Sequence, residues 1–478
     1  MAQVYPFPAY RYNPAQVSFD RVLTQPYDKI SPAAQEKYYA ADPHNLIAVE
    51  KGRAFPDDAP RHSVYTRAAE ALESWIRENV IVQDAEPAFY AYTQEYTVPG
   101  TEARRTRRGF IGAGKLEEYS AGVVFRHEHT LSGPKADRLE LLRHTRTHTG
   151  QLFMLYSDEQ RRVDAILAEV EAAGAPATEL RDEYGVVHRL WVVSDPAKVA
   201  AIQEAMAGQK LVIADGHHRY ETALNYRNER RKEMPAAGGC AGQGDVGRSA
   251  AEESTSSAAA RNISTVTQDD SPYERAMMTF VNTRSEGLTI LPTHRVVAHL
   301  ADFSWSSMRR YLEPWFAAEE FPFADDGAKA QAREKFLHRL VEARGARAIG
   351  VYPAAESGKR AFYVLTLRPG ADLSLLLPNV SVLQRELDVV LLHEGILEPA
   401  LGITPQAVTA EKNLTYEREA AAALDAVDRG AAQVAFLLNA CDVEQVVHIA
   451  TSGEVMPQKS TDFYPKLLSG ITMYRVDC

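Results

Sequence analysis

Leu211-Val-Ile-Ala-Asp215-Gly216-His217-His218-Arg219, running on through YETALNYRNERR to Arg231, decides the fold. Four apolar residues in a row read as a buried strand, Asp215-Gly216 as a turn, and the polar run after it as a helix. The same alternation appears upstream. QLFMLY (151–156) reads as a strand, about 160–173 as a helix, HRLWVV (188–193) as a strand, and one more helix leads into Leu211. Strands and helices taking turns in this way predict α/β (α+β) architecture.

A turn between a strand and a helix aims backbone N–H groups and the positive helix end at one point, which suits an anion and above all a phosphate. Gly216 lets that anion approach the backbone, Arg219 offers a bidentate guanidinium, and Asp215 can orient a hydroxyl or hold a cation. His217 and His218 complete the group. The bland alternative is an Asp helix cap with two exposed histidines.

Two further stretches concentrate reactive side chains. Arg126-His127-Glu128-His129-Thr130-Leu131-Ser132-Gly133-Pro134-Lys135-Ala136-Asp137-Arg138 places a candidate general base, Glu128, near Lys135 and Arg138, which can balance phosphate charge. Its plain reading is a polar loop with a Gly-Pro turn. Near the C-terminus, Lys459-Ser460-Thr461 within MPQKSTDFYPK (456–466) offers a cation and two hydroxyls, a pattern common in ordinary loops.

Other motifs carry less. Gly109-Phe-Ile-Gly-Ala-Gly114-Lys115 matches seven positions of a P-loop, but Leu116 stands where the magnesium-binding hydroxyl belongs, so a glycine-bearing strand is expected. His127, His129, His144, His148, His217 and His218 have workable zinc spacings, yet HExxH is absent and no cysteines assist. Arg104-Arg105-Thr106-Arg107-Arg108 reads as a solvated hairpin face.

The chain has 478 residues, enough for about three domains at roughly 150 residues each. A net charge of -11 argues against a nucleic-acid coat or a membrane-surface protein. Cys240, Cys441 and Cys478 are scattered and odd in number, which argues against a disulfide framework. With no signal-type apolar core and no apolar run near the roughly 18 residues of a membrane span, a cytoplasmic protein is expected. Between Ala236 and Ala260, 17 of 25 residues are Ala, Gly or Ser, a composition that predicts a disordered insertion over 235–265. The remaining divisions are expected at 1–107 (α+β), at 108–234 (a core with an insertion at about 139–205) and at 266–478 (α/β, with 453–470 returning to the site). Strands are expected at FYAYTQEYTV (89–98), RGFIGAGKLEEY (108–119), RAMMTFVN (275–282), RAIGVY (347–352) and AFYVLTL (361–367). Helices are expected at 64–76, about 379–392 and about 417–429.

QPYDKIS, HEHTLSGPKADRLELLR, ADGHHRYETAL, LPTHR and GEVMPQKSTDFYPKLLSG, spread from residue 25 to 470, together resemble the family called DUF1015, a domain of unknown function. Residues 126–129 and 211–224 are also similar to the ParB/sulfiredoxin fold, and within it to free L-serine kinases. The counterparts of the kinase motifs are His127-Glu128, Asp215 to Arg219, and Gly453-Glu454-Val455 followed by Lys459-Ser460-Thr461, in the same order.

That resemblance implies a ParB/sulfiredoxin-like core and a small-molecule kinase phosphorylating free L-serine. Glu128 would take the hydroxyl proton, and Asp215 would position the hydroxyl or Mg²⁺. Gly216, His217, His218 and Arg219 would hold nucleotide phosphates, while His127, Lys135, Arg138, Lys459, Ser460 and Thr461 would clamp substrate or phosphate. Mg²⁺ and ATP or ADP are the implied metal and donor; the implied partners are a nucleotide and an amino acid, with a homodimer conceivable. The 87 residues from Glu128 to Asp215 exceed the spacing in compact kinases, so the 139–205 insertion has to fold back.

Two other functions compete. A ParB-like switch that binds a nucleotide without kinase activity would use the same turn, though the acidic charge and the lack of a basic recognition helix count against DNA as its partner. A hydrolase using histidine-bound metal is the other.

Overall fold

The computed structural model describes residues 1–128, 132–233, 270–410 and 412–477. The expected Ala/Gly/Ser-rich insertion, Cys240, Cys478 and His129 lie outside these described residues. The chain forms two compact units. The first comprises 1–125, 130–287 and 465–478, the second 126–129 and 288–464.

Unit one is built on a nine-stranded mixed sheet. Its strand order is Val124–Phe125, Leu211–Asp215, Leu152–Tyr156, Arg275–Asn282, Arg104–Lys115, Phe89–Thr97, Val187–Val193 and Thr178–Arg181, with Val4–Tyr5 also pairing with Arg104–Lys115. The Leu211–Asp215 strand runs parallel to Val124–Phe125 and antiparallel to Leu152–Tyr156. All five residues of Leu152–Tyr156 are buried, as expected of a strand covered on both faces. Helices Arg162–Ala173, Pro196–Met206 and His217–Glu233 follow strands in sequence, so the alternation read from the sequence is present.

The core of this unit is aromatic and close-packed. Phe110 stacks on Phe280 with ring centroids 4.9 Å apart and meets Phe89 edge-on at 5.3 Å. The P-loop-like glycines lie in the Arg104–Lys115 strand and serve this packing. A Cβ at Gly109 would stand 2.5 Å from the Phe280 carbonyl oxygen, and one at Gly112 would stand 2.8 Å from the Phe89 ring. The arginine cluster differs from its reading as a solvated face. Arg104 and Arg105 are exposed, but Arg107 is 2% exposed, lies 4.6 Å over the Phe153 ring and donates from Nε to Gln94 Oε1 at 3.0 Å. The strand runs from the sheet's rim into its interior, so position along the strand decides burial here, not charge.

Unit two carries a six-stranded antiparallel sheet in the order Phe316–Pro322, Ala361–Leu367, Ala348–Pro353, Val434–Leu438, His294–Val297, Leu414–Glu417. Helix Asp326–Glu342 starts at Asp325, whose Oδ1 accepts from Ala328 N at 2.9 Å. It buries Phe336 against Phe362, the rings 5.1 Å apart. Gly350 makes room, since a Cβ there would stand 2.8 Å from Phe336.

Two helix expectations change in this unit. Over 379–392 the chain forms a short 3-10 turn at Gln384–Glu386 and then a helix, Asp388–Leu392, that passes into a π-helical turn, His393–Leu397. Over 417–429, the segment begins as the end of the Leu414–Glu417 strand, and the helix spans only Ala420–Asp428. Among the described residues no helix is long and apolar enough to cross a membrane.

Candidate functional site

In unit one, the Leu211–Asp215 strand ends in an irregularity. Ile213 pairs with Met154, but Asp215 pairs with Phe153, so a bulge falls between Ile213 and Asp215. Bulges re-aim side chains at sheet ends, and here the residue after the slip is the candidate carboxylate. Gly216 follows with φ +94°, a conformation that L side chains rarely adopt. Helix His217–Glu233 begins at once, with Tyr220 N donating to Gly216 O at 2.9 Å.

Arg219 folds back over this turn. Its Nη2 donates to Asp215 Oδ2 at 3.0 Å, and its Nη1 donates to the Gln151 carbonyl oxygen. A Cβ on Gly216 would stand 3.1 Å from Arg219 Nη2 and from Leu152 Cδ2, so a side chain there would crowd both groups as well as strain the backbone. Lys466 Nζ donates to Asp215 Oδ1 at 3.3 Å, and the lysine side chain is 10% exposed. Burial alone would raise the Asp215 carboxyl, but the positive charges of Lys466, Arg219, Lys29 and His217 outweigh it and hold the group well below the usual carboxylate range.

The neighbouring residues extend this polar region. Glu50, 2% exposed, accepts from Thr149 Oγ1 at 2.6 Å and from Ser469 Oγ at 3.2 Å. Arg138 donates from Nη1 to the Glu50 carbonyl oxygen at 2.8 Å and lies 4.4 Å over the Tyr27 ring. Burial pushes the Tyr27 phenol up to about 12, against the pull of Arg219. Lys135 pairs with Glu221 of the same helix as His218, and His218 is lowered by burial and then by Lys135. His217 is buried.

In unit two, Glu128 forms a parallel bridge with Met456, whose N–H donates to the His127 carbonyl oxygen at 2.7 Å. Glu128 Oε1 accepts from Lys459 N at 2.8 Å, and His127 Nε2 lies 2.8 Å from Thr461 Oγ1. Residues 331 and 334 positions apart in sequence are thus brought together. Ser460 Oγ donates to the Pro457 carbonyl oxygen at 2.5 Å, closing the loop on itself. Lys459 has φ +53°, costly for a residue with a side chain, and its ammonium lies 4.4 Å over the Tyr416 ring. Arg295, 1% exposed, supports the loop from behind. It donates from Nη2 to the Lys459 carbonyl oxygen at 3.2 Å and from Nε to His393 Nε2 at 3.1 Å. Burial lowers its guanidinium to about 10.

Asp215, Gly216, His217, His218, Arg219, Lys135 and Arg138 therefore lie in unit one, and His127, Glu128, Lys459, Ser460 and Thr461 in unit two. Sequence reading passed over Lys466, Lys29, Gln151 and Glu50. Lys29 and Lys466 stand inside quoted motifs, QPYDKIS and DFYPKLLSG, and a lysine beside aromatic and turn residues was the available signal.

In chemical terms, the unit-one turn gathers a helix N-terminus and several cations around one carboxylate, the kind of surroundings in which anions are held. A resident divalent ion does not suit it, because the one carboxylate already pairs with two cations. Among the described residues no group of three or more His, Cys, Asp or Glu is arranged to hold a metal ion.

Comparison with known proteins places these features in a family. Among solved structures, similarity extends to a conserved hypothetical protein from Pyrococcus furiosus, at 12% identity over 71% of this chain and 87% of that one, with a TM-score of 0.29. It extends also to a free serine kinase in complex with AMP, at 11% identity over 74% and 88% of the two chains, with a TM-score of 0.30. A mutant free serine kinase in complex with ADP gives 8% identity over 74% and 89%, with a TM-score of 0.32. Similarity at this level assigns no activity to this chain. No curated protein matches it. The family described as "Protein of unknown function (DUF1015)" matches residues 4–390, and this chain belongs to that family.

Proposed function

We propose that this protein is a small-molecule kinase that moves a phosphoryl group from a nucleotide to a free amino-acid hydroxyl, with L-serine as the first acceptor to test. The observation that carries the reading is the Asp215–Arg219 turn, where a bulged strand end, a left-handed glycine and a 17-residue helix start coincide with Arg219, Lys466 and Lys29. Phosphoryl transfer needs positioning and charge compensation more than covalent help, and this turn offers both.

In this reading Gly216, His217, His218 and Arg219 hold phosphate, and Asp215 orients the acceptor or keeps the cations in place. Glu128 takes the hydroxyl proton as that oxygen bonds to phosphorus and the nucleotide's terminal P–O bond breaks. The products are O-phosphoserine and ADP from ATP, or AMP from ADP. Lys459, Thr461 and His127 order the Glu128 loop. Lys135 and Arg138 contribute positive charge around the phosphate-binding turn. Mg²⁺ would arrive with the nucleotide phosphates. Residues 108–234 are read as a ParB/sulfiredoxin-like core with an insertion at about 139–205. The parallel pairing of Val124–Phe125 with Leu211–Asp215 is consistent with that reading.

The test is incubation with Mg²⁺-ATP and, separately, Mg²⁺-ADP, together with a panel of free amino acids, reading phosphoserine by mass spectrometry. Glu128→Gln is expected to cut turnover by about 10²–10⁴-fold while nucleotide binding stays intact. Asp215→Ala is expected to abolish product. Undiminished phosphoserine from Glu128→Gln would remove Glu128 as the base. Tight nucleotide binding with no phosphorylated product from any acceptor would favour a nucleotide-binding switch over a kinase.

A further inference from the structure

A polar cavity lies wholly within unit two. Its volume is about 400 Å³, inside the range of about 300–1,000 Å³ usual for small-ligand pockets. Charges of both signs line it, Arg344 and Arg347 together with Glu386, Asp388 and Asp442, and Cys441 is in the wall.

The charges are unevenly matched. Arg344 Nη2 donates to Asp442 Oδ1 at 2.5 Å and to the Ala440 carbonyl oxygen at 3.0 Å. Arg347 lies 4.0 Å from Glu386 Oε1 and donates from Nη1 to the Arg385 carbonyl oxygen at 3.2 Å. The Asp388 carboxylate is the group left over. It makes no hydrogen bond or ion pair among the described residues and sits in the first turn of helix Asp388–Leu392. Half-buried beside an open cavity, this carboxylate is free to accept from a donor on a bound molecule. Burial lifts this carboxyl to about 7, only partly opposed by Arg347 and Arg344.

The two arginines still have N–H donors to give after their hydrogen bonds are counted, since a guanidinium carries five. Arg347 is also held at φ +53°, a strained conformation for a residue with a side chain. Acceptor and donors therefore face one cavity, and their complement is a molecule with an ammonium at one end and a carboxylate at the other. Cys441 Sγ, in the same wall, lies 3.7 Å from the Ser460 carbonyl oxygen, so the cavity wall touches the loop that orders Glu128.

We propose that this cavity binds a free α-amino acid, its ammonium on Asp388 and its carboxylate on Arg347 and Arg344. The site goes beyond the kinase reading, and its test uses neither nucleotide nor turnover, so either can fail alone.

Calorimetric titration of the full chain with glycine, L-serine, L-glutamine and L-arginine provides the test, with ethanolamine (no carboxylate) and lactate (no ammonium) as controls. At least one amino acid is expected to bind, and lactate is not. Asp388→Asn and Arg347→Gln should each weaken that binding about tenfold or more while the thermal transition stays cooperative. Three results would overturn the proposal: no amino acid binding up to about 10 mM, affinity unchanged in both variants, or ethanolamine binding as well as serine.

Discussion

Burial alone would push Asp215 towards its protonated form; Lys466, Arg219 and Lys29 turn the balance the other way, and Lys466 is the largest of these opposing influences. Removing it should do two things. In Lys466→Met the Asp215 carboxyl should rise towards the ordinary carboxylate range, and nucleotide affinity should fall about tenfold through loss of one charge-assisted contact. Lys466→Arg should keep most of the affinity. Nucleotide titration of both variants checks this, and equal affinity in Lys466→Met would take Lys466 out of the phosphate site. Lys466 also shows why residue-level reading was incomplete. In sequence it is a lysine between Pro465 and Leu467, and its nearness to Asp215, 251 residues away, comes only from the fold. Ser460 shows the converse: its hydroxyl suggested a clamp, and it donates to the Pro457 carbonyl oxygen of its own loop.

At the scale of elements, the strand–turn–helix at 211–233 was legible because its signals are local. LVIA is apolar, Asp-Gly punctuates it, and the helix follows without a gap. The bulge at Ile213–Asp215 was not legible, since it exists only relative to the neighbouring Leu152–Tyr156 strand. Gly216→Ala tests this element. Both the φ of +94° and the 3.1 Å approach to Arg219 oppose a methyl group, so a stability loss of about 1–3 kcal/mol is expected together with a loss of nucleotide affinity of at least about tenfold. Denaturant unfolding and nucleotide titration read the two effects separately. Full affinity in a stable Gly216→Ala protein would show that the turn does not hold phosphate. The helix expected at about 379–392 differs in the structure, where only Asp388–Leu392 is α-helical and it continues into a π-turn at His393–Leu397 that local sequence pattern does not announce.

For the molecule as a whole, histidines shielded from water, with His294 and His393 buried and His148 half-buried, set the acid limit of stability. His148 in unit one is lowered to about 4 by burial and then by Arg219. In unit two His294 is lowered to about 4 and His393 to about 3, in each case by burial and then by Arg295. Unfolded histidines take up protons near pH 6.5, while these take them up only near pH 3–4 in the folded chain. Their contribution is therefore whole above about pH 6.5 and is lost as pH falls towards 4. Asp388 works in the opposite sense, because its raised carboxyl costs stability as it ionises between the ordinary carboxylate range and about pH 7. Three histidines against one carboxyl should leave the melting temperature at pH 5 at least about 5 °C below that at pH 7.5. Asp388→Asn should steepen the fall. A melting temperature flat from pH 7.5 to 5 in the wild-type chain would contradict this account.

By itself the sequence determined the α/β alternation, most of the strands and the grouping of reactive side chains at 126–138, 211–219 and 456–466, because hydrophobic period and turn chemistry act between near neighbours. Which cations surround Asp215, that Arg107 is buried while Arg104 and Arg105 are not, and that Glu128 is held by Lys459 were decided by tertiary structure alone. Those facts depend on strand order, register and burial, and Coulomb and desolvation energies follow distance in space rather than separation along the chain.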